Sequence, residues 1–139
     1  MTSETPNRRL ILCVEDNHDT CEMIKVVLSA FEVKTAHSVR EAIDQLDQNR
    51  FSLILLDYHL NDAEGDGLFL CRYIRRRDPE TPVYFTSASI NLTDDEAHRV
   101  GAQGLIPKGP NFVDQLLEKA GEILAVHRSA GSAYDWRGL

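Results

Sequence analysis

Leu53-Ile54-Leu55-Leu56-Asp57 is an unbroken apolar run that stops on an acid. It is too short for a buried helix, and its apolar residues do not alternate with polar ones. Such a run reads as a strand covered on both faces, the pattern of a parallel sheet. Leu10 to Val14 and Val83 to Phe85 have the same character. Val33 to Ala36, interrupted by Lys34 and Thr35, reads as an edge strand, and the very short Leu105-Ile106 as the other edge.

Helix patterns fill the intervals. Asp19 with Glu22 makes a capping pair ahead of Ile24, Val27, Leu28 and Phe31, which share a face. Ser38 with Glu41 makes a second before Ala42, Ile43 and Leu46. Gly67 precedes a helix over Leu68 to Arg77, whose late Arg75, Arg76 and Arg77 suit the negative end of a helix dipole. Thr93 with Glu96 opens a short helix ending near Gly101. Asn111 opens the last, with Val113, Leu116, Leu117, Ala120, Ile123 and Leu124 at helical spacing. Five strands and five helices in strict alternation predict an α/β, doubly wound, five-stranded parallel sheet with right-handed crossovers.

At 139 residues the chain is one ordinary domain, able to bury a core without disulfides or a structural metal. Residues 1–7 read as an N-terminal tail without a secretory signal, 8–126 as the folded domain, and 127–139, with Tyr134 and Trp136, as a C-terminal tail or the start of a linker. The net charge of -7 argues against a nucleic-acid surface, and no apolar stretch approaches the ~20 residues of a membrane span. Cys13, Cys21 and Cys71 are odd in number and lack CxxC spacing, so they read as free thiols in a reducing cytoplasm, Cys13 as a small buried hydrophobe.

The polar residues that end the strands carry the functional reading. Glu15 and Asp16 follow the first strand, Asp57 the third, Ser87 ends the fourth, and Lys108 follows the fifth. In an open parallel sheet these positions share the carboxyl edge, where such sheets place their ligands. Three carboxylates together repel, each pair by about 4 kcal/mol at ~4 Å and an effective dielectric near 20, so the cluster calls for a cation. All-oxygen donors with open positions suit Mg²⁺. A metal, the Lys108 ammonium, a nucleophilic carboxylate and the Ser87 hydroxyl together suit phosphoryl transfer. Taken singly, Asp16 and Ser87 would read as caps and Lys108 as a surface residue. The joint pattern over four strand ends separates the two readings.

The motifs Val14-Glu15-Asp16-Asn17, Leu55-Leu56-Asp57, Pro82-Val83-Tyr84-Phe85-Thr86-Ser87-Ala88 and Gly101-Ala102 leading to Lys108 resemble those of the bacterial response-regulator receiver domains of two-component signalling, from about Arg8 to Val126. The resemblance implies the flavodoxin-like receiver fold with strand order 2-1-3-4-5. It implies a cytoplasmic phosphoprotein whose Asp57 accepts a phosphoryl group from a sensor histidine kinase or a histidine phosphotransfer protein of a phosphorelay. Mg²⁺ would be held by Asp16, Asp57 and the backbone carbonyl of His59, with Glu15 reaching it through water. Ser87 and Lys108 would contact the phosphoryl oxygens. Such a chain catalyses only its own phosphorylation and dephosphorylation, and its output would be contact with a downstream protein rather than with nucleic acid or membrane.

This sequence departs from that family at four places. Leu105 stands where an aromatic residue usually does, three before the Lys; the usual Lys-Pro step is Lys108-Gly109-Pro110; the usual Pro four after the phosphoacceptor is Asn61; and the usual following Gly is displaced to Gly67, although Gly65 holds its numerical place. No acid, hydroxyl or Lys is lost, so the expectation is competent phosphorylation with an atypical output surface. The alternative is a phosphorylation-independent interaction module on the same fold. Asp62-Ala63-Glu64-Gly65-Asp66-Gly67 mimics the start of a calcium loop, but the twelfth position is Tyr73 rather than Glu, which favours a solvated acidic loop. The histidines His18, His37, His59, His98 and His127 have no metal-ligand spacing. Neither a hydrolase elbow nor a Gly-rich phosphate loop is present.

Overall fold

The computed structural model describes residues 10–88 and 92–129, and of 124–129 the backbone alone. The expected tail 1–7, the tail residues from 130 onward and the Leu124 side chain lie outside this description. Among the described residues the order is β1 (Leu10–Val14), α1 (His18–Val27), β2 (Glu32–Ala36), α2 (Val39–Gln48), β3 (Leu53–Asp57), α3 (Gly67–Arg77), β4 (Val83–Ser87), α4 (Asp94–Arg99), β5 (Gly104–Pro107) and α5 (Phe112–Ser129). α5 therefore continues past Val126, where the sequence suggested a tail. None of these helices is long and apolar enough to cross a membrane.

The strands form one sheet, order β2-β1-β3-β4-β5, with every pairing parallel. β2 and β5 are the edges, as the charged and short runs predict. Side chains alternate across a strand, so each central strand feeds two cores. Leu53 and Leu55 join Ile11, Cys13 and Ile106 beneath Cys21 and Ile24 of α1 and Phe112, Leu116 and Ala120 of α5. Ile54 and Leu56 face the other way and join Leu12 and Val14 under Val39, Leu70, Cys71, Ile74 and Ala97 of α2, α3 and α4. Burial of each such Leu or Ile contributes roughly 1.5–3 kcal/mol, which is why β1 and β3 are apolar on both faces. All three cysteines are free and buried.

The helix starts follow capping chemistry, with one correction. α1 is capped by Asn17, whose side-chain oxygen accepts from the Thr20 N–H at 2.9 Å, not by Asp19. The turn after Asp16 is short, so Asn17 is the residue left extended; Asp19 falls in the first helical turn, where its charge meets the positive end of the dipole. Ser38 accepts from the Glu41 N–H at 3.1 Å, and Glu41 accepts in turn from the His37 N–H at 2.8 Å. Thr93 and Glu96 form the reciprocal box. The basic run closes α3: Arg75 donates to the Gly101 carbonyl at 2.6 Å and to the Gln103 side chain at 3.0 Å. Asp94 accepts from the Leu105 N–H at 3.1 Å and so covers part of the β5 edge.

Gly67 opens α3 and lies against the end of β3. A Cβ there would lie 2.5 Å from the Asp57 carbonyl oxygen and 2.8 Å from the Tyr58 Cα, both backbone atoms. Only hydrogen fits where α3 meets the end of β3. Gly67→Ala is therefore expected to lower the unfolding free energy by about 1–3 kcal/mol, the usual range for overpacking, measured by urea denaturation. Wild-type stability in that variant would mean that the end of β3 yields to the methyl group.

Candidate functional site

The carboxyl ends of β1, β3, β4 and β5 reach one edge, and backbone pairing fixes the level of each side chain. Val14 sits opposite Leu56, Asp57 opposite Thr86, and Ser87 opposite Pro107. Beyond the strands the ladder continues: the Glu15 N–H donates to the Ala36 carbonyl at 2.9 Å, the Tyr58 N–H to Thr86 at 2.9 Å, and the Lys108 N–H to Ser87 at 2.7 Å. Residues far apart in sequence are thereby brought to one place by main-chain bonds rather than by their own attraction.

One carboxylate oxygen from each of Glu15, Asp16 and Asp57 lies within 4.8 Å of the others. Lys108 Nζ is 2.7 Å from Glu15 Oε1 and 3.6 Å from Asp57 Oδ1. Glu15, Asp57 and Ser87 are 2%, 4% and 1% exposed, while Asp16 is half-buried and gives the cluster its opening. Burial drives the Glu15 carboxyl up to about 7; the Lys108 hydrogen bond opposes this and the neighbouring Asp57 adds to it. Burial alone would lower the Lys108 ammonium, but Glu15 and Asp57 outweigh it and hold the group above its ordinary range. Three carboxylates against one ammonium leave the cluster short of positive charge, so it is a set of oxygen donors that could hold a metal ion.

The five residues expected at the site thus lie at the same sheet edge, and the side chains of Glu15, Asp16, Asp57 and Lys108 meet there. The His59 ring is exposed, edge-on to Tyr58 at 4.8 Å, and its backbone N–H donates to Asp57 Oδ1 at 3.1 Å. Leu105 is half-buried and packs against the apolar cluster that includes Ala97 of α4.

The acids of the β3–α3 loop serve the backbone instead of a second ion. Asp62 accepts from the Val39 N–H at 2.6 Å and the Glu64 N–H at 2.9 Å, and Asp66 caps α3. Glu64 faces Arg40 at 3.7 Å. Among the described residues the group that could hold a metal is Glu15, Asp16 and Asp57.

Three supporting contacts have no signature in the sequence. His37 Nδ1 lies 3.1 Å from the Glu15 carbonyl oxygen, with its ring stacked on His18 at 3.8 Å. Cys21 Sγ reaches the same carbonyl at 3.4 Å. The Asn61 N–H donates to Asp16 Oδ2 at 3.2 Å.

Comparison with known proteins gives this geometry a family. The family model described as the response regulator receiver domain matches residues 11–121. The response regulator protein PilR of Pseudomonas aeruginosa is 35% identical over 105 residues, covering 73% of this chain and 23% of that protein. The nitrogen assimilation regulatory protein NtrX of Azorhizobium caulinodans is 33% identical over 124 residues, covering 85% and 27%. The crystal structure of the receiver domain of NtrX from Brucella abortus superposes with a TM-score of 0.75 at 32% identity, covering 83% of this chain and 98% of that one. The chain spans about a quarter of the length of these curated relatives. With the five-stranded order, the acidic cluster and the lysine at one sheet edge, the chain belongs to the response regulator receiver domain family.

Proposed function

We propose that Asp57 accepts a phosphoryl group from a phosphohistidine of a sensor histidine kinase or histidine phosphotransfer protein, in a Mg²⁺-dependent reaction in the cytoplasm, and that the chain then signals by protein contact. The observation that carries this reading is the meeting of Asp57, Lys108, Glu15 and Asp16 at one sheet edge. We assign no nucleic-acid or membrane contact to these residues, in keeping with a net charge of -7.

The donor set is all oxygen and rich in charge, which suits Mg²⁺. Asp16, Asp57 and the backbone carbonyl of His59 would hold it, with Glu15 acting through water, and once bound it would neutralise charge on the transferring phosphoryl oxygens. An Asp57 carboxylate oxygen forms the new bond to phosphorus. The bond from phosphorus to the donor imidazole nitrogen breaks, and its electron pair stays on that nitrogen. The His59 N–H on Asp57 Oδ1 orients the carboxylate for attack. Lys108, held ready by Glu15 at 2.7 Å, turns its ammonium toward the arriving phosphoryl oxygens, and the Ser87 hydroxyl donates to another. The chain acts on its own side chain and has no separate substrate.

Leu105 favours a second reading, an interaction module that does not use phosphate. A half-buried Leu on β5 has no polar end to exchange partners when charge appears at Asp57. One experiment separates the two. Intact mass should rise by one phosphoryl group when the chain is incubated with Mg²⁺ and acetyl phosphate, and EDTA should remove the gain. Absence of any gain with Mg²⁺ present would favour the module.

A further inference from the structure

Asp16 is the half-buried member of the cluster, carried on the short link between β1 and α1. Its Oδ2 accepts from a main-chain N–H 45 residues away, that of Asn61 in the β3–α3 loop, at 3.2 Å. The next residue, Asp62, is itself fixed. Its Oδ2 accepts from the Val39 N–H at 2.6 Å and its Oδ1 from the Glu64 N–H at 2.9 Å. Val39 opens α2, and its N–H is one of the helix donors that lack an intrahelical partner. The path runs without a gap from the first turn of α2, through Asp62 and Asn61, to a carboxylate of the acidic cluster.

We propose that the Asn61 backbone N–H, held in place by Asp62 on α2, is a positioning group that sets the Asp16 carboxylate for the divalent cation. The inference rests on the reading of Glu15, Asp16 and Asp57 as a Mg²⁺ site. A carboxylate has two oxygens, and an N–H fixed on one fixes the direction of the other without using it. The proline usual at this place in the family has no N–H and could not make this bond. Asp62 bonds the first turn of α2, and the adjoining Asn61 carries that anchorage back to Asp16.

The donor belongs to the backbone, so a pair of substitutions isolates it. Asn61→Pro deletes the N–H, whereas Asn61→Ala keeps it and serves as the conservative variant. Mg²⁺ is titrated calorimetrically into each purified variant, and Mg²⁺-free stability is followed by urea denaturation. Asn61→Pro should bind Mg²⁺ about tenfold more weakly, the lower end of what losing a partner of a metal ligand costs, while Asn61→Ala recovers wild-type affinity. Asp62→Ala, which cuts the anchor at α2, should also weaken Mg²⁺ binding, and it carries the test if Asn61→Pro does not fold. Wild-type Mg²⁺ affinity in a folded Asn61→Pro or Asp62→Ala variant would overturn this inference alone. Failure of the wild-type chain to take up Mg²⁺ would overturn the metal reading and this inference with it. A purely structural role would instead lower Mg²⁺-free stability and leave the affinity in place.

Discussion

Asp57→Asn is expected to abolish the phosphoryl gain while leaving the fold intact. The substitution keeps the shape of the side chain and an oxygen that can accept the His59 N–H, now at 3.1 Å. It removes the nucleophile, because an amide oxygen carries no charge and forms no stable phosphoryl product. The neighbouring acids are poorly placed to substitute for it. Glu15 is only 2% exposed and held by Lys108 at 2.7 Å, and Asp16 is tied to Asn61. Intact mass after incubation with Mg²⁺ and acetyl phosphate should therefore equal that of the untreated variant. Loss of one of three crowded carboxylates also relieves repulsion, so metal-free stability should be equal to or above wild type. A full gain in this variant would place the acceptor on another side chain and remove the proposed mechanism.

The same residues explain why so much was legible in the sequence and why some was not. β3 could be read because a strand covered on both faces must be apolar at every position, and Leu53 to Leu56 satisfies that without help from context. Lys34 and Thr35 marked β2 as an edge because only an edge strand tolerates them. The site acids were legible for a topological reason: the ends of parallel strands converge, so a carboxylate at each end implies a cluster. The cap of α1 was misplaced because Asn17 and Asp19 are equally good caps, and the length of the turn after Asp16 decides between them. The close approach of Gly67 to the backbone of Asp57 depends on where α3 lands, which spacing alone does not encode. The His37 contact spans 22 residues and the Asn61 contact 45, and the second is made by a main-chain N–H that every residue but proline possesses. No residue-type pattern encodes a contact of that kind.

Lys108→Ala should move two measurable quantities in opposite directions. Its ammonium lies 2.7 Å from Glu15 and 3.6 Å from Asp57, and its side chain is 21% exposed, so solvent screens it only in part. Without it, the three carboxylates have lost the positive charge that the site supplies for itself, and a divalent cation gains more by entering. Mg²⁺ affinity is expected to rise by roughly tenfold, or about 1.4 kcal/mol, well below the unscreened attraction between charges at these distances. The titration belongs at alkaline pH, because burial already lifts the Glu15 carboxyl to about 7 and removal of its ammonium lifts it further. Phosphorylation moves the other way. An ammonium preset at the acceptor stabilises charge on the transferring group, and removing such a donor costs about 10²–10³ in rate. Tighter Mg²⁺ with slower mass gain from acetyl phosphate would identify Lys108 as a group that acts on the phosphoryl oxygens and competes electrostatically with the cation. A fall in both would instead make it a strut for Glu15, and a change in neither would remove it from the chemistry.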